Sequence, residues 1–248
     1  MGARCPECVR ELRAEQQSLH RATRVAAGAP RTAVGRRARQ WLAQPAPVTI
    51  AIIAVTALVG VLQILPGDLS ASLLYFLPYS LVEPWRFLGY ALVHASPLHF
   101  AFNMLVLFMV GPTIEQRIGR LPFLAAYLVS VAGAAVAVAW LTPLSAVIGA
   151  SGGIYALFGM LIGMQKMVGR VNPTLLIVVG INLAITFLFG GISWPAHVGG
   201  LLIGLALGFG IGFADTRMRR TSTASWLVIG AVALVLGALF AARIATLL

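Results

Sequence analysis

One stretch decides the fold of this chain: residues 196–212, with the sequence AHVGGLLIGLALGFGIG. The stretch is apolar enough to cross a membrane as a helix, and His197 is its only ionisable side chain. Four glycines follow this histidine by 3, 7, 11 and 15 residues and so share one helix face: Gly200, Gly204, Gly208 and Gly212. This face predicts a groove below the histidine, into which a second helix packs closely.

A second apolar stretch, Ser151–Met167, has a matching face. At spacings of four residues it carries Ser151, Tyr155, Gly159 and Gly163. Gly149 and Gly152 flank the serine and permit unusual backbone dihedrals. The free N–H groups at the start of the helix can donate hydrogen bonds to a developing oxyanion. If the two faces pack, Ser151 and His197 meet at hydrogen-bond distance, as a nucleophile and its general base require. The alternatives are structural: a serine that packs two spans together, and a histidine bonded to a loop carbonyl.

The whole chain has the composition of a membrane protein. Of its 248 residues, 59% are hydrophobic and 10% are charged, whereas soluble domains have about 25% charged residues, and the mean hydropathy is +0.91. Seven apolar segments predict an all-α, polytopic helical membrane protein: Val48–Leu65, Leu98–Val110 with apolar flanks, Pro122–Leu141, Ser151–Met167, Pro173–Phe189, Ala196–Phe213 and Trp226–Ala242. The long connection Pro66–Pro97 is expected to carry structure of its own.

Basic residues predict the orientation of these spans. Nine of the eighteen lysines and arginines lie between Arg4 and Arg39, before the first span. If this tail is cytoplasmic, sixteen of the eighteen fall on that side and only Arg86 and Arg243 fall outside, as the positive-inside rule requires. The serine, the histidine and the C-terminus then lie toward the outer side. A basic tail beside a membrane is expected to bind anionic lipid headgroups. No aromatic residues alternate with its arginines to stack on bases, so we predict no nucleic-acid binding.

Two further polar side chains lie in the second span. His99 and Asn103 are four residues apart and share a helix face. Both can donate hydrogen bonds, so with the backbone N–H of Ser151 they fit an oxyanion hole, although an interhelical polar clasp is the alternative. Because no Asp or Glu lies in the spans of Ser151 and His197, we predict a catalytic dyad rather than a triad. Tyr155, one turn below the serine, is placed to stack on the imidazole and orient it.

Five short motifs occur along the chain: Glu83-Pro84-Trp85-Arg86, His94 followed by His99-Phe100-Ala101-Phe102-Asn103, Glu115-Gln116-Arg117-Ile118-Gly119, Gly149-Ala150-Ser151-Gly152 and Ala196-His197-Val198-Gly199-Gly200. Together they resemble the signature elements of the rhomboid family of intramembrane serine proteases. The resemblance covers about residues 48–215. Each motif alone is weak, whereas their combination is specific.

This resemblance implies cleavage of transmembrane segments in other membrane proteins, near small residues in helix-destabilising stretches. It implies the following roles: Ser151 as nucleophile, His197 as base, His99 and Asn103 with the N–H of Ser151 as oxyanion donors, Tyr155, Gly149, Gly152 and His94 as supporting residues, and Phe102 as a substrate gate. The expected partners are transmembrane substrates and membrane lipid, and no cofactor is implied. The expected location is a plasma membrane of bacterial type.

The resemblance also implies a division of the chain. We expect residues 1–46 to form a basic cytoplasmic tail, residues 47–215 a six-span rhomboid-like catalytic core, and residues 216–248 a basic loop and a seventh span. Some bacterial relatives carry a paired-cysteine zinc module before the first span. Here Cys5 and Cys8 form only an incomplete zinc-type pair, because a closed structural site needs four ligands, so we predict no metal.

Two other functional classes remain open at this stage. The first is a non-catalytic rhomboid-like protein that binds client transmembrane helices; such relatives usually lack the serine or the histidine, and this chain has both. The second is a transporter or channel, which would show polar or broken helices near the midplane of the membrane. Asn182 is the only strong polar candidate there.

Overall fold

A computed structural model describes residues 46–217 and 222–247, and within them the secondary structure is helical apart from one isolated bridge, between Tyr75 and Val147. The helices are α1 Pro47–Leu62, α2 Leu69–Leu73, α3 Leu77–Ser80, α4 Arg86–Gly89, α5 Pro97–Ile118, α6 Arg120–Leu141, α7 Ser151–Met167, α8 Pro173–Leu188, α9 Trp194–Arg217 and α10 Ser222–Ala245. The predicted all-α class is therefore confirmed. Cys5, Cys8 and the rest of the basic tail before residue 46 lie outside the described residues.

Seven of the helices correspond to the seven apolar segments. By length and composition, α5, α6, α9 and residues Thr223–Ala245 of α10 can each cross a membrane, and α1 and α8 are shorter apolar helices. Large apolar side chains such as Leu58, Phe187 and Leu234 are exposed on the outside of the bundle. Since helices that satisfy their own backbone can face lipid with such side chains, the chain is an integral membrane protein.

The structure differs from the sequence prediction most at α5. This helix does not end near Val110 but continues to Ile118. Glu115 is almost fully buried in the extension, and its carboxylate accepts hydrogen bonds from the N–H groups of Val48 and Thr49 at 3.0 and 2.8 Å. A carboxylate that caps the start of a neighbouring helix is satisfied without water, so this polar stretch stays helical inside the protein. The helices α6, α9 and α10 also extend two to four residues beyond their predicted edges.

The closest packing lies between α7 and α9. Along α9, an added Cβ would overlap a backbone carbonyl of α7 at three glycines: Gly200 against Gly152, Gly204 against Ala156, and Gly208 against Met160. Gly159 and Gly163 of α7 lie in the same way against the backbone of α9. The glycine groove predicted from the spacing is therefore confirmed, and it brings the N-terminal ends of these two helices together.

The connection between α1 and α5 carries structure, as predicted, in the form of α2, α3 and α4. The buried guanidinium of Arg86 holds it together, because it pairs with Glu83 and donates to the carbonyl of Leu74 at 2.9 Å. Tyr75 and Val147 exchange two backbone hydrogen bonds of 2.9 Å each. These bonds fix the connection to the loop that leads into α7, where the candidate site begins.

Candidate active site

Ser151 and His197 are in direct contact. Ser151 is the first residue of α7 and is half-buried, and its Oγ lies 2.7 Å from Nε2 of His197. The histidine lies in the first turn of α9 and is 7% exposed. The two side chains are 46 residues apart in sequence. A short contact between a serine hydroxyl and a buried imidazole nitrogen is the geometry that activates a serine as a nucleophile.

The loop before Ser151 is held in place from several sides. Gly149 has φ +113°, a left-handed conformation that favours glycine, and its N–H donates to the carbonyl of Tyr90 at 2.8 Å. A Cβ at Gly149 would lie 2.6 Å from Cε1 of His99, and one at Gly152 would lie 2.7 Å from Cβ of Ala134. Neither glycine can therefore acquire a side chain without displacing His99 or Ala134.

Tyr155 lies against the imidazole of His197. The two ring centroids are 4.2 Å apart and the planes are inclined by 19°, which is a stacked arrangement. The tyrosine is buried one turn below Ser151 on α7. This contact restricts rotation of the imidazole out of its plane, so the geometry allows the stacking role that the family resemblance implies.

Thr186 on α8 also reaches His197, and sequence reasoning missed this residue. Its Oγ1 lies 2.7 Å from Nδ1 of His197, on the opposite side of the ring from Ser151. The same oxygen lies 3.0 Å from the carbonyl oxygen of Asn182 and 3.3 Å from the hydroxyl of Tyr155. The available signal, a threonine in an apolar segment, is weak, since such residues commonly bond within their own helix.

His99 and Asn103 lie on one face of α5, beside the loop that leads into α7. Asn103 is buried, and one N–H of its amide donates to the carbonyl of His99 at 2.7 Å. The backbone N–H of Ala95 points at Nδ1 of His99 at 3.4 Å, which leaves Nε2 of that ring as the nitrogen that can carry a proton. The His99 ring packs on Gly149, two residues before Ser151, with this nitrogen 2.9 Å from the position that a Cβ of Gly149 would occupy. In the part of the chain that the structure describes, neither side chain bonds directly to the serine.

His94, in the loop before α5, contacts both His99 and the loop that leads into α7. Its ring packs edge-on against His99 with centroids 5.0 Å apart, and its Nε2 lies 3.5 Å from the N–H of Ala150. Burial, with the neighbouring His99 as a smaller cause, lowers the pKa of His94 to about 4. The side chain is therefore neutral near pH 7 and can accept a hydrogen bond. The side-chain amide of Gln63 bonds both the N–H and the carbonyl of His94, a clasp that no motif indicated.

The four carboxylates among the described residues are engaged elsewhere. Asp68 caps α2 by accepting a hydrogen bond from the N–H of Ala71. Glu83 forms an ion pair with Arg86, Asp215 forms one with Arg117, and Glu115 accepts hydrogen bonds from the start of α1. Across residues 46–217 and 222–247, no three His, Cys, Asp or Glu side chains converge as a metal site would need. Phe102, the predicted gate residue, is exposed on the outer face of α5.

This fold and site define a class: a polytopic helical membrane protein with a serine–histidine pair enclosed between its helices. Comparison with known proteins gives the family. The Rhomboid domain model matches residues 82–213, which is more than half of the chain. The chain therefore belongs to the rhomboid family.

Individual relatives agree with this assignment. The chain is 29% identical over 196 residues to the rhomboid protease GlpG of Haemophilus influenzae, covering 74% of this chain and 98% of that protein. It is 28% identical over 192 residues to Rhomboid-related protein 2 of Mus musculus, covering 70% of this chain and 63% of that protein. It is 31% identical over 157 residues to the rhomboid protease GluP of Bacillus subtilis, covering 60% of this chain and 31% of that protein. The chain thus spans nearly all of the first relative but under two thirds of the other two.

Proposed function

We propose that this chain is an intramembrane serine protease that hydrolyses peptide bonds in or near the transmembrane segments of other membrane proteins. The 2.7 Å contact between Oγ of Ser151 and Nε2 of His197 carries this proposal. It is supported by the family membership and by the two bacterial relatives named as rhomboid proteases. The catalytic unit is a dyad, since each carboxylate in the described part of the chain has another partner.

In the proposed reaction, Oγ of Ser151 attacks the substrate carbonyl carbon while its proton passes to Nε2 of His197. The tetrahedral intermediate collapses when the C–N bond breaks and the imidazolium returns that proton to the leaving amine. Water then attacks the acyl ester with the same histidine as base, which releases the new carboxyl end and restores the serine. Ser151 is only half-buried, which supports the access of substrate and water that this reaction requires.

In this proposal three donors stabilise the oxyanion. The first is the backbone N–H of Ser151 at the start of α7, a position where the helix has no internal acceptor. The second is the second N–H of the Asn103 amide, because only one of its two donors is used by the carbonyl of His99. The third is Nε2 of His99, whose ring packs on Gly149. These donors have their largest effect in the transition state, where the negative charge develops.

The surroundings of the site fit a substrate that arrives from the membrane. The side chain of Phe102 on α5 is 60% exposed, and we propose that it faces lipid and lies on the access path of a substrate helix. The basic residues favour a cytoplasmic N-terminus, with the active site toward the outer side of a bacterial-type plasma membrane and the C-terminus external. Residues 47–215 then form the catalytic core, and α10 forms an additional span.

A non-catalytic protein that binds client helices is the alternative within the family. It would have no need of a serine hydroxyl in contact with a buried imidazole, so this contact favours the enzyme. The test is cleavage of a model single-span membrane protein by the purified chain in detergent, compared with Ser151→Ala and His197→Ala. Cleavage by the wild type and background rates in both variants are expected. Equal cleavage by wild type and Ser151→Ala would refute the proposed function.

A further inference from the structure

We propose that Thr186 is a positioning residue that holds His197 in the tautomer with the proton on Nδ1, so that Nε2 faces Ser151 as a base. This inference deepens the proposed function and rests on it for its catalytic meaning. The juxtaposition itself rests on distances alone: Oγ1 of Thr186 is 2.7 Å from Nδ1, and Oγ of Ser151 is 2.7 Å from Nε2.

The direction of the bond follows from what a hydroxyl can do. A threonine hydroxyl has one proton to donate and two lone pairs that accept. The carbonyl oxygen of Asn182, 3.0 Å away in the preceding turn of α8, can only accept, so it takes the proton of Thr186. The two lone pairs then face the other polar neighbours among the described residues, Nδ1 of His197 at 2.7 Å and the hydroxyl of Tyr155 at 3.3 Å. All three positions of the hydroxyl are satisfied when both neighbours donate.

This arrangement determines the state of the histidine. In a neutral imidazole one nitrogen donates and the other accepts. If Nδ1 donates to Thr186, Nε2 has a free lone pair pointed at Oγ of Ser151, which is the state a general base needs. The reverse tautomer would place a proton on Nε2 and leave it unable to accept the serine proton. The bond to Thr186 therefore does for this histidine what a carboxylate does in a catalytic triad, although without adding a charge.

The surroundings argue against an incidental contact. Val179 and Thr186 are the two buried residues of α8, whose remaining surface is half-exposed or exposed. Thr186 is 3% exposed, and its hydroxyl lies among the rings of Tyr155 and His197. Stacking on Tyr155 restricts the plane of the imidazole, and Thr186 with Ser151 fixes its rotation within that plane. One stacking contact and two hydrogen bonds thus specify one orientation.

The kinetic test compares Thr186→Val, which keeps the shape and removes the hydroxyl, with Thr186→Ser, which restores it. Thr56→Val is the matched control, because Thr56 is equally buried in α1 and donates to the carbonyl of Ile52 at 2.8 Å, four residues earlier, as Thr186 does to that of Asn182. We expect Thr186→Val to lower kcat on a model substrate by about 5- to 30-fold, with KM little changed. This factor corresponds to the loss of one hydrogen bond in the transition state. Thr186→Ser should recover most of the rate, and Thr56→Val should retain it. A wild-type kcat in Thr186→Val would overturn the proposal.

The second test reads the tautomer directly and needs no activity. The full-length chain, labelled with ¹⁵N in its histidine rings, is studied by NMR in micelles, and His197→Gln identifies the signals. The wild type should show a protonated Nδ1 and an unprotonated Nε2 near pH 7, and Thr186→Val should lose that preference. A proton on Nε2 in the wild type would overturn the proposal even if Ser151 is catalytic. Conversely, a wild type that cleaves no substrate but shows the Nδ1–H tautomer would refute the proposed function and leave the positioning role standing.

Discussion

Gly204→Ala is the substitution that tests most strictly whether close packing of α7 and α9 builds the site. A Cβ at this position would lie 2.6 Å from both Cα and the carbonyl carbon of Ala156. Carbon atoms in contact are about 3.5–4.0 Å apart, so the two helices must separate by roughly 1 Å. If that separation reaches the N-terminal ends of the two helices, the 2.7 Å contact between Ser151 and His197 lengthens to about 3.7 Å, beyond hydrogen-bond range. Overpacking of this kind typically destabilises by about 1–3 kcal/mol.

The assay combines thermal unfolding in detergent with cleavage of a model transmembrane substrate. We expect the midpoint temperature of thermal unfolding to fall. Among molecules that remain folded, kcat should be lower by a factor of about 10², which is a usual contribution of a positioned general base. Gly230→Ala is the matched control, since a Cβ at this glycine of α10 would meet nothing within 4 Å, and it should behave as the wild type. A Gly204→Ala variant with wild-type midpoint and wild-type kcat would show that the reasoning from backbone contact is wrong.

Three further predictions follow from the site and the sequence. Asn103→Ala should lower kcat by about 10²–10³ with KM little changed, because an oxyanion donor acts in the transition state; an effect confined to KM, measured over a substrate series, would instead assign Asn103 to substrate binding. The double variant Cys5→Ser, Cys8→Ser should cleave at the wild-type rate, since two thiolates cannot close a zinc site; metal-dependent loss of folding would contradict this. Alkaline phosphatase fused after Leu248 should be active in a bacterial host, as an external C-terminus requires, and activity of a cytoplasmic reporter there would reverse the topology.

The parts of this structure that are periodic in sequence could be predicted. The glycine spacing after His197 and the small residues after Ser151 identified two faces, and the close backbone contact at Gly204 follows from their shared helical period. The contact between Ser151 and His197 could be inferred because each stands at the N-terminal end of one of those faces. The hydropathy pattern likewise supplied the seven apolar segments, each of which corresponds to a helix.

Contacts between helices that share no sequence period could not be predicted. Thr186, near the C-terminal end of α8, contacts His197 of α9, and nothing in the spacing of an apolar segment encodes that contact. The extension of α5 past Val110 had a similar cause, because the chain around Glu115 is polar in sequence but capped by the start of α1 in space. The clasp of Gln63 on the backbone of His94 joins two loops with no periodicity at all. In each case a partner distant in sequence satisfies a polar group that local reasoning would assign to water.

The claim that Ser151 is an activated nucleophile is tested most directly by covalent labelling. The purified chain is treated in detergent with a fluorophosphonate probe, which reacts with activated serines, and the modified residue is located by mass spectrometry. We predict a single adduct on Oγ of Ser151, absent in Ser151→Ala and much slower in His197→Ala, where the serine lacks its base. Undiminished labelling of Ser151→Ala, or an adduct on another residue of the wild type, would contradict the account.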